Sequence, residues 1–169
     1  MSKHDARRPL KFDLLQTSVE EIQELREHGY TMAGNWNLSQ ICQHLSKTLK
    51  ISIEGAPFRL PFLLRPFARW LLFDSVMRGR PTRLPLIAPS QFQPDEPENV
   101  DQHIANYQEL VGKVTAADAQ LISDHPVFGR VSLEEWRKFH CWHAAHHLSF
   151  LQPTTDPTQA EQTVAAGSQ

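Results

Sequence analysis

The chain has 169 residues, a formal charge of −2 and an apolar content of 40 %. That length suffices for one well-buried domain, the charge lacks the basic excess of a nucleic-acid binder, and two cysteines exclude a disulfide-stapled scaffold and fit a reducing, cytoplasmic setting. The start, MSKHDARRPLKF, shows no signal-peptide pattern, no apolar run approaches a membrane span, and no glycine-rich phosphate loop, HExxH or CxxC motif is present.

Residues 1–14 read as an arm, 15–151 as the folded domain and 152–169 as a flexible tail poor in large apolar residues. The first helix is expected from Thr17 to a stop at Gly29. Thr17 with Glu20 offers a capping box, and Val19, Ile22 and Leu25 form its apolar stripe. A second helix is expected from Leu38 to about Lys50, capped by Asn37, with Leu38, Ile41, Cys42, Leu45 and Leu49 inward. His44 borders that stripe. Cys42 faces elsewhere and reads as a small apolar filler.

Residues 55–85 alternate aromatics and leucines with arginines. A short amphipathic helix, roughly Pro66 to Arg78, is expected there, with Phe67, Trp70, Leu71 and Met77 inward; membrane-surface binding is the competing reading. Residues 84–98 are proline-punctuated and read as a long crossover. A third helix follows from about Glu98 to Ser123, with Ile104, Leu110 or Val111, Val114 and Leu121 buried, and His103 at the surface. The loop DHPVFGR turns at Pro126 and Gly129 and carries His125, a candidate for the mouth of a site.

The last helix dominates the reading: VSLEEWRKFHCWHAAHHLSFL, residues 131–151. Ser132 and Glu135 have capping-box spacing, and Pro153 forbids continuation. About 18 helical residues give roughly 27 Å of rod. Four main helices, a long crossover and a short additional helix in the 55–85 insert make an all-α four-helix bundle the expected fold.

His143 and His147 are one turn apart, so one helix face offers two imidazoles to a single ion. A third ligand has to come from another helix, and His44 is the candidate. A histidine bordering a buried stripe is ordinarily a packed core-edge residue; the pair on the last helix is what raises the alternative. Three imidazoles leave coordination positions open, the pattern of a catalytic rather than a structural site. Such an ion lowers the pKa of a bound water or thiol. Asn37, Gln40, His125 and His146 are candidates to surround the pocket, with Trp36, Trp142 and Phe150 as apolar walls. Arg65, Arg69 and Arg78 are candidates to attract an anionic group.

The blocks WNLSQICQHL (36–45), HPVFGRVSLEEW (125–136) and HAAHHLSFL (143–151) resemble the DinB-like superfamily of metal-binding four-helix bundles, in particular its branch called domain of unknown function 1569. The resemblance spans about residues 15–151. It implies a divalent metal, zinc or nickel, on His44, His143 and His147, and gives His146 no role. Superfamily chemistries include S-transfer with a low-molecular-weight thiol and maleylpyruvate isomerisation, while this branch has no assigned reaction. The expectation is a metal-binding protein acting as a thiol S-transferase or hydrolase on a small-molecule substrate, with a homodimer as the assembly. The alternatives are a metal-binding or stress-related module without turnover, and a structural bundle whose histidines are merely buried.

Overall fold

The computed structural model describes residues 7–80, 92–94 and 99–154. Most of them are helical: α1 (Thr17–His28), α2 (Leu38–Glu54), α3 (Arg65–Ala68), a π-helical turn (Arg69–Phe73), α4 (Asp74–Met77), α5 (Val100–Thr115) and α6 (Leu133–Leu148). Short strands connect them: β1 (Tyr30–Met32), β2 (Asp124–His125), β3 (Gly129–Arg130) and β4 (Leu151–Pro153). β1 pairs antiparallel with β4, placing Met32 opposite Leu151. β2 and β3 form a hairpin with Asp124 opposite Arg130.

The purely all-α expectation is thereby corrected to a mostly helical chain with two small antiparallel sheets. Strands of two or three residues are too short for alternation to register in a sequence. They arise because backbone groups leaving a helix need partners, and residues 151–153 find theirs along β1. Leu151, expected on the last helix, is therefore a strand residue and fully buried.

Helix ends follow from local chemistry. In α1 the Thr17–Glu20 capping box does not form: Gln16 holds the N-cap position, and the Thr17 hydroxyl donates to the carbonyl of Leu14. Asn37 caps α2 as expected, and Gln40 completes a capping box by accepting from the Asn37 amide. α2 runs past Lys50 to Glu54 and stops at Gly55, whose φ of 95° suits glycine and whose amide donates to the carbonyl of Ile51. α5 starts one residue past Asn99, which adopts φ 46° and accepts from the Gln102 amide. It ends at Thr115, well short of Ser123. α6 carries the expected Ser132–Glu135 capping box.

The main core lies between α1, α2, α5 and α6. Ile22, Leu25, Leu38, Ile41, Leu49, Tyr107, Val114 and Leu148 are all buried there. Each such side chain contributes about 1.5–3 kcal/mol of burial. Phe12 and Leu15, ahead of α1, join the same cluster. A second cluster of Ile51, Val76, Phe92, Phe128, Val131, Trp136 and Trp142 packs the helical stretch 65–77 against α6.

Of the four residues expected inward on that stretch, Met77 packs inward and the other three do not. Phe67, Trp70 and Leu71 are exposed, as are Phe62, Leu63 and Leu64; Leu72, Phe73, Val76 and Met77 pack inward. Both faces are apolar, so periodicity alone does not choose between them. Arg65 on Asp124 and Arg69 on Glu135 pin the stretch in one orientation. No helix among the described residues is long and apolar enough to cross a membrane. Most of the 84–98 crossover and of the 152–169 tail, and the first six residues of the arm, lie outside the described residues.

Candidate metal centre and its cavity

α2 and α6 pack side by side, and each is fixed at its start by a capping box. This brings His44 against the one-turn pair on α6. His44 Nε2 is 3.1 Å from His143 Nε2, and His147 Nε2 is 3.0 Å from the same atom. One ligand nitrogen from each of the three rings lies within 4.8 Å of the others. Nitrogens sharing one zinc at 2.0–2.1 Å stand roughly 3.0–3.4 Å apart in common geometries. Two of the three separations already have that value.

Proton positions support the fit. His44 Nδ1 is 2.7 Å from the carbonyl oxygen of Phe92. A carbonyl can only accept, so Nδ1 carries the proton and Nε2 presents a lone pair toward the other rings. A hydrogen-bonded outer nitrogen is the usual support of a metal-ligating imidazole. His143 lacks such a support, its Nδ1 being buried without a partner. With no ion, the cluster crowds nitrogen lone pairs that one or two ring protons must share. The donor set therefore fits a divalent cation.

Burial, then the neighbouring rings, hold His143 and His147 far below the ordinary histidine range. Burial also lowers His44, against the opposing effect of its bond to Phe92. The three rings are thus neutral near pH 7, the form that ligates.

The triad forms part of the wall of a cavity of about 520 Å³. Trp36, Phe58, Phe92, Phe128, Phe139 and Trp142 supply much of the remaining wall, and no Lys, Arg, Asp or Glu lines it among the described residues. Trp36 stacks on His147 at 5.4 Å and leans on His44 at 4.9 Å. Trp142 stacks on His143 and His146, and its indole N–H donates to the carbonyl of Arg80.

Asn37 and Gln40 do not line the cavity: their side chains are engaged in the α2 cap. His125 does line it and is buried, not solvent-facing. His146 also lines it, with Nδ1 accepting from Arg7 at 3.3 Å. Phe150 is not in the wall; it packs against Gly34 and His146. Arg65, Arg69 and Arg78 are absent from the lining and paired with Asp124, Glu135 and Asp74. His103 is half-buried, 3.0 Å from Gln43 Nε2.

Sequence reading missed two contributors. The Phe92 carbonyl anchors His44, but every residue has a carbonyl, so no signal marks it. Phe139 lies against His143, 5.4 Å between ring centres, and its position on α6, one turn before that residue, is the cue that could have found it. His140 is buried against Trp136, with Nε2 3.0 Å from the Ser52 hydroxyl.

Cys42 and Cys141 are both free and buried. Burial pushes the Cys42 thiol up to about 12 and the Cys141 thiol to about 11, so neither presents a thiolate.

The sequence profile of the family described as "Protein of unknown function (DUF1569)" matches residues 4–154, and the chain belongs to that family. No curated protein matches it. No solved structure matches it.

Proposed function

We propose that the protein is a DinB-like four-helix bundle of α1, α2, α5 and α6. In this reading it binds one divalent metal, zinc or nickel, through His44, His143 and His147, and hydrolyses a small uncharged substrate held in the adjoining cavity. The observation that carries this is the convergence of three neutral imidazoles on one point of a cavity wall. When bound, the ion supplies Lewis acidity to a water or to a substrate oxygen.

The chain's own residues do the rest. His44 is oriented through Phe92. Trp36 and Phe139 flank the triad with aromatic surface. The volume falls within the usual range for small-molecule sites. Absence of a charged side chain from the described lining favours an uncharged substrate. The protonated, packed cysteines supply no thiolate, and water is the nucleophile in this reading.

The test is elemental analysis of protein purified without an affinity tag, followed by hydrolysis of neutral aryl esters such as 4-nitrophenyl acetate. One zinc or nickel per chain is expected, lost in His44→Ala and His147→Ala with helix content retained, and ester hydrolysis should disappear with it. A chain that holds no metal under non-chelating conditions leaves a structural histidine cluster instead. Metal without hydrolysis, but with thiol-dependent consumption of an electrophile, returns the transferase reading.

A further inference from the structure

His125 lies in β2, at the start of the 124–130 hairpin, and is 4 % exposed. Its Nδ1 is 3.1 Å from the backbone nitrogen of Val127 and 3.2 Å from that of Phe128. Backbone amides can only donate, so Nδ1 is the acceptor and the proton of the neutral ring sits on Nε2. The ring plane is also fixed. It stacks on Phe128 at 4.6 Å, leans on Trp136 at 4.6 Å and meets the edge of Phe139 at 4.8 Å.

Among the described residues nothing accepts from Nε2 of His125. The ring lines the cavity. Its buried neighbour His140 differs, with Nε2 engaged by Ser52. The hairpin thus holds one ring N–H donor of fixed orientation in a mostly apolar wall, to which Ser75 and Gln93 add polar side chains on other elements. Phe139 is the ring between this donor and the triad, 4.8 Å from His125 and 5.4 Å from His143.

We propose that His125 orients the substrate through its Nε2–H, so that the cavity selects an uncharged, largely aromatic or aliphatic molecule bearing a carbonyl-type acceptor. An acceptor bound at His125 lays the rest of the molecule across Phe139 toward His143. A buried donor left unmatched is costly, so an analogue lacking the acceptor is rejected even where its shape fits. The inference rests on the reading of the cavity as the substrate chamber and is independent of the metal.

The test uses acetophenone and its near-isostere α-methylstyrene, in which C=CH2 replaces C=O, titrated into the full chain and followed by amide and imidazole nitrogen resonances. Both metal-free and zinc-loaded chains are used. Two variants separate orientation of substrate from support of the hairpin. Asn places an acceptor where Nδ1 was and deletes the outer donor; Gln places a donor near Nε2 and deletes the inner acceptor. In His125→Asn, acetophenone should bind about five-fold more weakly with α-methylstyrene unchanged. In His125→Gln the wild-type preference for the ketone should persist. The wild-type ring should show its proton on Nε2, shifted by acetophenone alone.

Equal loss of both probes in His125→Gln, with His125→Asn behaving as wild type, would assign the ring to hairpin support and overturn the proposal. So would a proton found on Nδ1, or a wild-type cavity that takes up neither probe. Metal content is measured in the same samples. A chain without metal sinks the hydrolase reading alone, because probe binding is read in the metal-free protein as well.

Discussion

The imidazole of His44 donates from Nδ1 to the carbonyl oxygen of Phe92 across 2.7 Å. That bond fixes which nitrogen faces His143, 3.1 Å away. It converts a core-edge histidine on α2 into a directed electron-pair donor at the wall of the cavity. Removing any of the three rings breaks the convergence. His143→Ala is expected to lower zinc affinity by about 100-fold or more, read by competition with a chromophoric chelator. Affinity unchanged in this variant would remove His143 from the ligand set.

Acid sensitivity of the metal-free chain follows from the buried rings, the triad's and two outside it. Burial lowers His125 to about 3, and burial first, with His125 as a minor contributor, lowers His140 to about 3. The unfolded chain binds these protons near pH 6.5 and the folded chain does not. Stability from neutral His125 and His140 is therefore complete above about pH 6.5 and drains away as pH falls toward 3. The slope approaches about 1.4 kcal/mol per pH unit for each ring. Urea unfolding of the metal-free chain should show the steepening between pH 6 and 4, and His140→Gln should reduce it by one ring's share. A flat profile over that interval would contradict the burial of both.

The two helices that bring the triad together start with capping boxes. Asn37→Ala and Ser132→Ala should each cost about 1 kcal/mol in chemical denaturation. Their sites lie on different helices, so the losses should add. Metal stoichiometry should not change, since neither residue is in the cavity wall. Loss of metal in Asn37→Ala would return that residue to the site.

Trp136 is 1 % exposed, donates from Nε1 to the carbonyl of Ile122 and stacks on His140. Trp136→Ala should destabilise the fold by about 3–5 kcal/mol. Trp136→Phe keeps a ring but strands that carbonyl, at about 1–3 kcal/mol. Denaturation midpoints rank the two; equal losses would show that the hydrogen bond, rather than the ring, dominates.

Neither thiol is poised to react. Cys42 and Cys141 should resist a chromogenic disulfide reagent in the folded chain at pH 8 and react fully once denatured. The Cys42→Ser, Cys141→Ser double variant should keep its metal. Fast labelling of Cys42 in the folded protein would reopen a thiolate mechanism.

Much of this was legible in residue order. Asn37 and Ser132 announced two helix starts because a short polar side chain ahead of an apolar stripe satisfies the first free amides. His143 and His147 share a face because helical pitch puts them there. These are local facts, and local chemistry determined them: the helical character of the chain, where α2 and α6 begin, and the pair of imidazoles one turn apart. Where local signals were equivocal, reading went astray. Residues 65–77 carry apolar side chains on both sides, and the ion pairs of Arg65 and Arg69 with distant carboxylates hold one of those sides inward.

Tertiary structure alone decided the rest. His44 becomes a neighbour of His143 because α2 and α6 pack together across 99 positions of chain. The Phe92 carbonyl, the β1–β4 pairing and the aromatic wall shared by Phe58, Phe128 and Phe139 are likewise contacts between segments far apart in sequence. Helix pitch and capping act within a few residues and are written in their types. A backbone carbonyl or a cavity wall is common to every residue or to many, and acquires meaning only from what the fold sets beside it.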